Sequence, residues 1–202
     1  MRCENKKIII REKYNKTAEI YDSRYMNIQF KKYKLVKEII LTELQAIDNP
    51  TIIDVGCGTG LFLKFFHSYI NNEYNYVCGD LADAMIRIPF ARKYHKKSFF
   101  ILFNGEHLPF KDNISDITVS FTVLQNVEYP DKLLSELVRI TKDNRILIIS
   151  CLKKIFNRES IMRYLKKCNQ IAFNKISIIN DNSIEDEIVI FKISKKESFY
   201  IE

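Results

Sequence analysis

Glycine is scarce in this chain. Five occur among 202 residues, where average usage of about 7% would give roughly fourteen. A chain so sparing of glycine keeps it where nothing else fits. The five are Gly56, Gly58, Gly60, Gly79 and Gly105; three share one short window and the other two lie beside apolar runs. Long hydrophobic runs are lacking as well, and none reaches the roughly 18–20 residues needed to span a bilayer. The start, Met-Arg-Cys-Glu-Asn-Lys-Lys, leads into only three isoleucines, too few for a signal-peptide core. Five cysteines stand at 3, 57, 78, 151 and 168, an odd number with no C-x-x-C or metal-ligand spacing. The expectation is reduced thiols, a cytoplasmic chain, no metal site and no membrane span. Apolar residues at 47% and charged residues at 28% exclude a disordered tail, a collagen-like repeat and a miniature disulfide scaffold.

Net charge is +7 and the excess is spread out. Two stretches concentrate it: Lys31, Lys32, Lys34 and Lys37, then Lys153, Lys154, Arg158, Arg163, Lys166 and Lys167. Basic helix faces can meet phosphate. In a lysine-rich chain, solvated helix faces are the ordinary reading.

Strand and helix signals alternate. Residues 12–24 and 29–46 read as two helices, the second with Tyr33, Val36, Ile40 and Leu44 at helical spacing. Strands follow at 51–55, 74–78, 98–103, 114–121 and 145–151, with helices at 61–70, 82–88, 130–141 and 158–167. Pro89 should end or kink the helix at 82–88. Two final strands, 171–179 and 187–194, flank a short polar loop, so they must pair antiparallel. Strands spaced by helices imply right-handed crossovers. The expected fold is α/β: a Rossmann-like, doubly wound, seven-stranded, mostly parallel sheet. An antiparallel final strand should lie at its edge, and two N-terminal helices should precede it. Ligands of such sheets bind at the carboxyl ends of the strands.

The glycine cluster leaves a strand and opens a helix: Ile53-Asp54-Val55-Gly56-Cys57-Gly58-Thr59-Gly60. Such a turn lets backbone pass close under a ligand and offers free N–H groups. A dinucleotide fingerprint reads G-x-G-x-x-G; here the third glycine comes one residue early. No Gly-Lys-Ser/Thr follows, which excludes a P-loop. Asp54 would repel a pyrophosphate but suits a cationic amino group. The expected ligand is a nucleoside carrying an amino acid.

Asp54-Val55-Gly56-Cys57-Gly58-Thr59-Gly60 resembles the first motif of class I S-adenosylmethionine-dependent methyltransferases. Gly79-Asp80-Leu81-Ala82-Asp83-Ala84-Met85 resembles the second, whose acid holds the ribose hydroxyls. Asn104-Gly105-Glu106-His107-Leu108-Pro109-Phe110 resembles the adenine-side turn. Asp116 to Phe121, then Leu124-Gln125-Asn126-Val127, resemble strand four and the substrate-facing turn after it. Leu134, Glu136 and Arg139 fit the helix before strand five. Residues 14–24, from Tyr14 to Arg24, resemble the lid of small-molecule enzymes of the ubiquinone/menaquinone type. The resemblance implies one domain over 1–202, with 1–46 as helical lid and 50–194 as catalytic core. It implies S-adenosylmethionine as cofactor, S-adenosylhomocysteine as product, and a cofactor site of Asp54, Gly56, Cys57, Gly58, Gly60, Asp80, Leu81, Asn104, Gly105, Glu106, Phe121 and Tyr21.

Three departures stand out. Asn104 replaces the usual Asp, keeping an acceptor without its charge. Lys142-Asp143-Asn144 replaces a Pro-Gly-Gly turn, and Asn144 can adopt the left-handed conformation that turn needs. No insertion supplies a capping domain, so the N-terminal helices must provide the cover. The implied reaction is in-line displacement at a sulfonium methyl, for which orientation and water exclusion matter most. Gln125, Asn126 and His107 are the catalytic candidates, and none is a convincing general base. Cys57 and the phenylalanines at 62, 65, 66, 99, 100 and 103 read as packing. A small-molecule acceptor is expected. RNA, by way of the basic helix at 153–167, and an inactive partner subunit stay open as alternatives; a nicotinamide dehydrogenase is disfavoured by the glycine spacing.

Overall fold

A computed structural model describes residues 3–70, 73–92, 96–156, 158–166 and 171–195. It opens with a single helix, α1 (Cys3–Gln45), of 43 residues, where two were expected. The intervening Tyr25-Met26-Asn27-Ile28 contains neither proline nor glycine, so nothing in it stops a helix. Ala18, Gln29, Tyr33, Val36, Ile40 and Leu44 are buried along one face of the rod, because they recur in steps of three and four.

The remaining elements are β1 (Thr51–Val55), α2 (Leu61–Phe66), β2 (Asn75–Asp80), α3 (Asp83–Arg92), β3 (Ser98–Leu102), β4 (Ser115–Phe121), α4 (Pro130–Ile140), β5 (Thr141–Leu152), α5 (Arg158–Lys166), β6 (Ile171–Ile179) and β7 (Asp186–Lys195). Seven strands form one sheet in the order β3-β2-β1-β4-β5-β7-β6. β1 to β5 are parallel, and β7 runs antiparallel to both its neighbours. The final strand is antiparallel, as read from the sequence, but it lies inside the sheet with β6 outside it. Its Asp186 to Phe191 are buried throughout, which demands cover on both faces and a partner on each side. Asn144 takes φ 55°, so the turn lacking glycine is made as expected.

Alternation along the strands sorts the core into two layers. Ile52, Ile117, Val119, Phe121, Ile146, Ile148, Ile188 and Ile190 pack against α1 and α2. Ile53, Val55, Leu147, Ile149, Val189 and Phe191 pack with Leu133, Leu134, Leu137 and Val138 of α4 and Ile161 of α5. Asp54, two along from Ile52, therefore shares the face covered by α1. Phe62, Phe65, Phe66 and Phe103 are core, as expected. Phe99 is not, being 55% exposed on the edge strand β3. Pro89 does not end α3, which continues to Arg92.

Lys32, expected on a solvated face, is 1% exposed. Its Nζ lies 2.8 Å from Asp186 Oδ1 and donates to Thr122 Oγ1 at 2.6 Å. Asp186 Oδ2 in turn accepts from Thr122 Oγ1 at 3.0 Å and Ser150 Oγ at 2.8 Å. Burial lowers the Lys32 pKa, and Asp186 opposes that shift. The network joins α1 to the ends of β4, β5 and β7 and holds Thr122 at φ 64°, a conformation a β-branched residue adopts only when its surroundings impose it. No described helix is long and apolar enough to cross a membrane. Lys167 and Cys168 lie outside the described residues.

Candidate active site

The strand order reverses between β1 and β4, and the turn after β1 sits at that switch point. Gly56, Gly58 and Gly60 take φ of 80°, 54° and 76°, the region where a side chain is strained. Gly56 and Cys57 donate their N–H groups to Gly79 O at 2.8 and 3.0 Å, tying the turn to β2. Asp80, at the end of β2, accepts from Gly58 N and Ala82 N, each at 3.0 Å. Gly60 precedes α2, and a Cβ there would stand 2.7 Å from Pro89 Cβ. Its smallness serves the packing of α2 against α3, and it lines neither of the two cavities described below.

A cavity of about 700 Å³, counting its open mouth, lies over this turn. Its floor is Val55, Gly56 and Gly58, and one wall is Asp80, Leu81 and Met85. Phe103, Asn104, Gly105 and Glu106 form a second wall; Phe121, Thr122, Val123, Asn126 and Val127 form a third. α1 crosses the top with Lys7, Ile10, Tyr14 and Tyr21. Asn15 anchors that crossing, donating to Asp83 Oδ1 at 2.8 Å and accepting from Ala84 N at 3.1 Å. Lys7 pairs with Glu106.

Burial raises the Asp80 pKa, against the pull of the Ala82, Gly58 and Leu81 N–H groups. Burial also acts upward on Glu106, but Lys7 and the N–H groups of Tyr129 and Glu128 outweigh it and hold the carboxyl below its ordinary value. Asn104 Oδ1 accepts from Glu106 N at 3.1 Å, which leaves one lone pair of the amide oxygen. Glu136 and Arg139 brace the following segment through Leu108 N, Leu108 O and Phe110 O. Tyr14 Oη accepts from Asn126 Nδ2 at 3.0 Å. Burial raises its pKa and that hydrogen bond only partly offsets the rise, so Tyr14 is a neutral phenol near pH 7.

A second cavity, about 270 Å³, adjoins the first through Tyr21, Gly56 and Phe121. Asp54, Cys57, Gln29, Tyr33 and Leu61 complete it. Asp54 is 2% exposed, and Tyr76 Oη donates to its Oδ2 at 2.6 Å. Desolvation raises the Asp54 pKa to about 7, with the Tyr76 bond opposing and Asp80 adding to the rise.

The residues expected at the site thus divide. Gly56, Gly58, Asp80, Leu81, Asn104, Gly105, Glu106, Phe121, Tyr21 and Asn126 line the larger cavity; Asp54 and Cys57 line only the smaller. Gln125 and His107 line neither: Gln125 donates to Thr122 O at 2.8 Å, and His107 is exposed. The sequence reading missed Lys7, Ile10, Met85, Thr122, Val123 and Gln29. Lys7, Ile10, Tyr14 and Tyr21 are spaced by three, four and seven, a helical stripe that was legible had the first helix been extended to its true start.

Residues 53–149 match the family described as methyltransferase domain. The chain is 28% identical over 195 residues to malonyl-[acyl-carrier protein] O-methyltransferase of Buchnera aphidicola, covering 92% of this chain and 75% of that one. It is 24% identical over 159 residues to a ubiquinone/menaquinone biosynthesis C-methyltransferase of Haemophilus ducreyi, covering 76% and 61% of the two chains. Among solved structures it resembles magnesium protoporphyrin IX methyltransferase from Synechocystis with bound S-adenosylhomocysteine, with a TM-score of 0.71 at 16% identity over 94% of this chain and all of that one. With the glycine turn at the switch point and Asp80 beside it, these matches support a class I S-adenosylmethionine-dependent methyltransferase, with S-adenosylmethionine as its cofactor.

Proposed function

We propose that the chain methylates a small molecule, working as one domain with α1 as its cover. The observation carrying this reading is the enclosure of the cavity by α1. Lys7, Ile10, Tyr14 and Tyr21 roof the space over the glycine turn, and small-ligand sites are concave pockets of this partly enclosed kind. The polar groups around it suit the nucleoside. Asp80 would accept from the ribose hydroxyls, Asn104 to Glu106 would border the adenine, and the Gly56–Gly58 turn would pass beneath. S-adenosylmethionine supplies a methyl group on a sulfonium, already activated for displacement.

The chain's own residues then orient and exclude water. Thr122, Val123 and Asn126 border the far end of the cavity, with Asn126 fixed between Tyr14 Oη and Thr122 O. Among the described residues no free base faces that end: Tyr14 is a hydrogen-bonded neutral phenol, and His107 and Gln125 lie elsewhere. The acceptor would therefore bring its own nucleophile, as a carboxylate, an amine or an acidic carbon does. The O- and C-methyltransferase names of the relatives are compatible with this class. The basic stretch argues less for RNA than the sequence suggested, because Lys153 donates to Asp181 O and Ile184 O. Buried, free Cys57, Cys78 and Cys151 suit a reducing, cytoplasmic setting.

Calorimetry should find S-adenosylhomocysteine bound and NAD not bound. Total tRNA incubated with the protein and S-adenosylmethionine should yield no methylated nucleoside. Salt-resistant submicromolar tRNA binding together with a methylated nucleoside would replace the small-molecule reading with the RNA one.

A further inference from the structure

The turn that closes the far end of the larger cavity is built on a residue ill suited to it. Thr122 follows β4 at φ 64°, and every other non-glycine residue at positive φ among those described is an asparagine: Asn49, Asn113 and Asn144. Asparagine visits this conformation readily, whereas a β-branched residue is an outlier there. The three asparagines line neither cavity, and Thr122 lines the larger. Each polar atom of Thr122 is engaged. Its N–H donates to Ser150 O at 2.9 Å and to Ser150 Oγ at 3.0 Å. Its Oγ1 accepts from Lys32 Nζ and donates to Asp186 Oδ2. Its carbonyl accepts from Gln125 Nε2 at 2.8 Å and from Asn126 Nδ2 at 3.1 Å.

These bonds run from the core to the cavity. Lys32 and Asp186, their side chains 2% and 1% exposed, line neither cavity themselves. They grip the Thr122 hydroxyl from both sides. The left-handed turn so imposed lays Val123 over the glycine turn, where a Cβ at Gly56 would collide with Val123 Cγ2. It also presents the Thr122 carbonyl, which together with Tyr14 Oη fixes Asn126 at the cavity wall. Without that grip Thr122 would relax toward negative φ, and Val123 and Asn126 would move with it. We propose that the buried Lys32–Asp186 pair positions the methyl-transfer end of the site: acting through Thr122, it sets the wall of Thr122, Val123 and Asn126 against which the sulfonium methyl and the acceptor meet. This rests on the reading that the larger cavity takes the cofactor with that wall at its transfer end. The pair carries no net charge, so removing both members moves the wall without changing the net charge of the site. Displacement at an already activated methyl depends chiefly on orientation of this kind.

The test is calorimetry with S-adenosylmethionine and S-adenosylhomocysteine, which differ at the sulfur alone, in the methyl and its charge. S-adenosylhomocysteine thus reports the rest of the site, and the ratio of the two affinities reports the wall. The double variant Lys32→Met with Asp186→Leu keeps the buried volume apolar and folded. It should bind S-adenosylhomocysteine within about twofold of the wild type and S-adenosylmethionine about fourfold more weakly, the worth of one buried methyl-sized group. Adding Thr122→Asn to that double variant should restore the ratio, because asparagine holds the left-handed turn without the pair. If the folded double variant has the wild-type ratio, or if Thr122→Asn does not restore a lost one, the pair is structural and the inference is refuted while the cofactor reading stands. If the double variant loses both ligands equally, the pair supports the whole site and the inference is again refuted. Should the double variant not fold, Thr122→Val answers the same question, since it severs the grip and leaves the ion pair in place: a fourfold loss confined to S-adenosylmethionine is expected, and a wild-type ratio refutes the inference. If the wild type binds neither ligand, the cofactor reading falls and this inference with it.

Discussion

Asp54→Asn should make the ligand-free protein more stable at neutral pH. Asp54 is 2% exposed and accepts a hydrogen bond from the neutral Tyr76 hydroxyl at 2.6 Å. Its carboxyl moves from 3.8 in the unfolded chain to about 7 when folded. The folded state therefore holds this proton more tightly, and folding stability falls as pH rises from about 4 to about 7. The roughly three-unit shift corresponds to about 4 kcal/mol once pH exceeds both values, at about 1.4 kcal/mol per unit. Some 2–3 kcal/mol of that should appear between pH 5 and 7.5. Asparagine keeps the acceptor for Tyr76 and cannot ionise. Urea unfolding of both proteins across that range should show their stabilities diverging, with the variant ahead at pH 7.5. Parallel pH profiles would refute the reasoning, because Asp54 would then be ionised in the fold at no cost.

Other expectations concern separate parts of the molecule. Lys32→Met should destabilise the chain by about 3–5 kcal/mol, since it strands Asp186 without its cation. The double change with Asp186→Leu should recover much of that loss in the same urea assay. Asp80→Ala should weaken S-adenosylhomocysteine binding by about 1.5–3 kcal/mol, the scale of hydrogen bonds to a charged acceptor, measured by calorimetry. Gly60→Ala should cost about 1–3 kcal/mol in thermal unfolding, because its Cβ would stand 2.7 Å from Pro89 at φ 76°.

The sheet was legible because its strands are short apolar runs with clear stops, and the glycine turn because this chain spends glycine nowhere idly. The resemblance drew attention to Asp80 and Asn104, which line the larger cavity, and the missing glycine turn to Asn144, which takes φ 55°. What escaped it depends on what lies opposite in space. Tyr25 to Ile28 carries no helix signal of its own, and packing carries α1 through it. Lys32 looks like its solvated neighbours Lys31 and Lys34 until β7 brings Asp186 beneath it. Gln29 is a polar residue in a polar stretch, and it meets the smaller cavity only once α1 lies over β1. β7 entered the sheet interior because residues along its length are apolar on both faces, a pattern read as strand but not as position.

The roof of the cavity is continuous with the helix that builds the core. α1 would extend about 65 Å if straight, at 1.5 Å per residue over 43 residues, and it has no glycine or proline at which to fold back. The cover therefore has no hinge. Cofactor exchange must proceed by unwinding the first turns of α1, which releases Lys6 from Val127 O and Lys7 from Glu106, or through the mouth beside an intact helix. Unwinding a few helical turns is a local opening far less costly than global unfolding, and denaturant promotes it. Urea well below the unfolding transition should thus accelerate S-adenosylhomocysteine dissociation, and a helix-favouring alanine at Asn5 should slow it. In this protein the timing of turnover would be written in the helix propensity of the opening turns of α1.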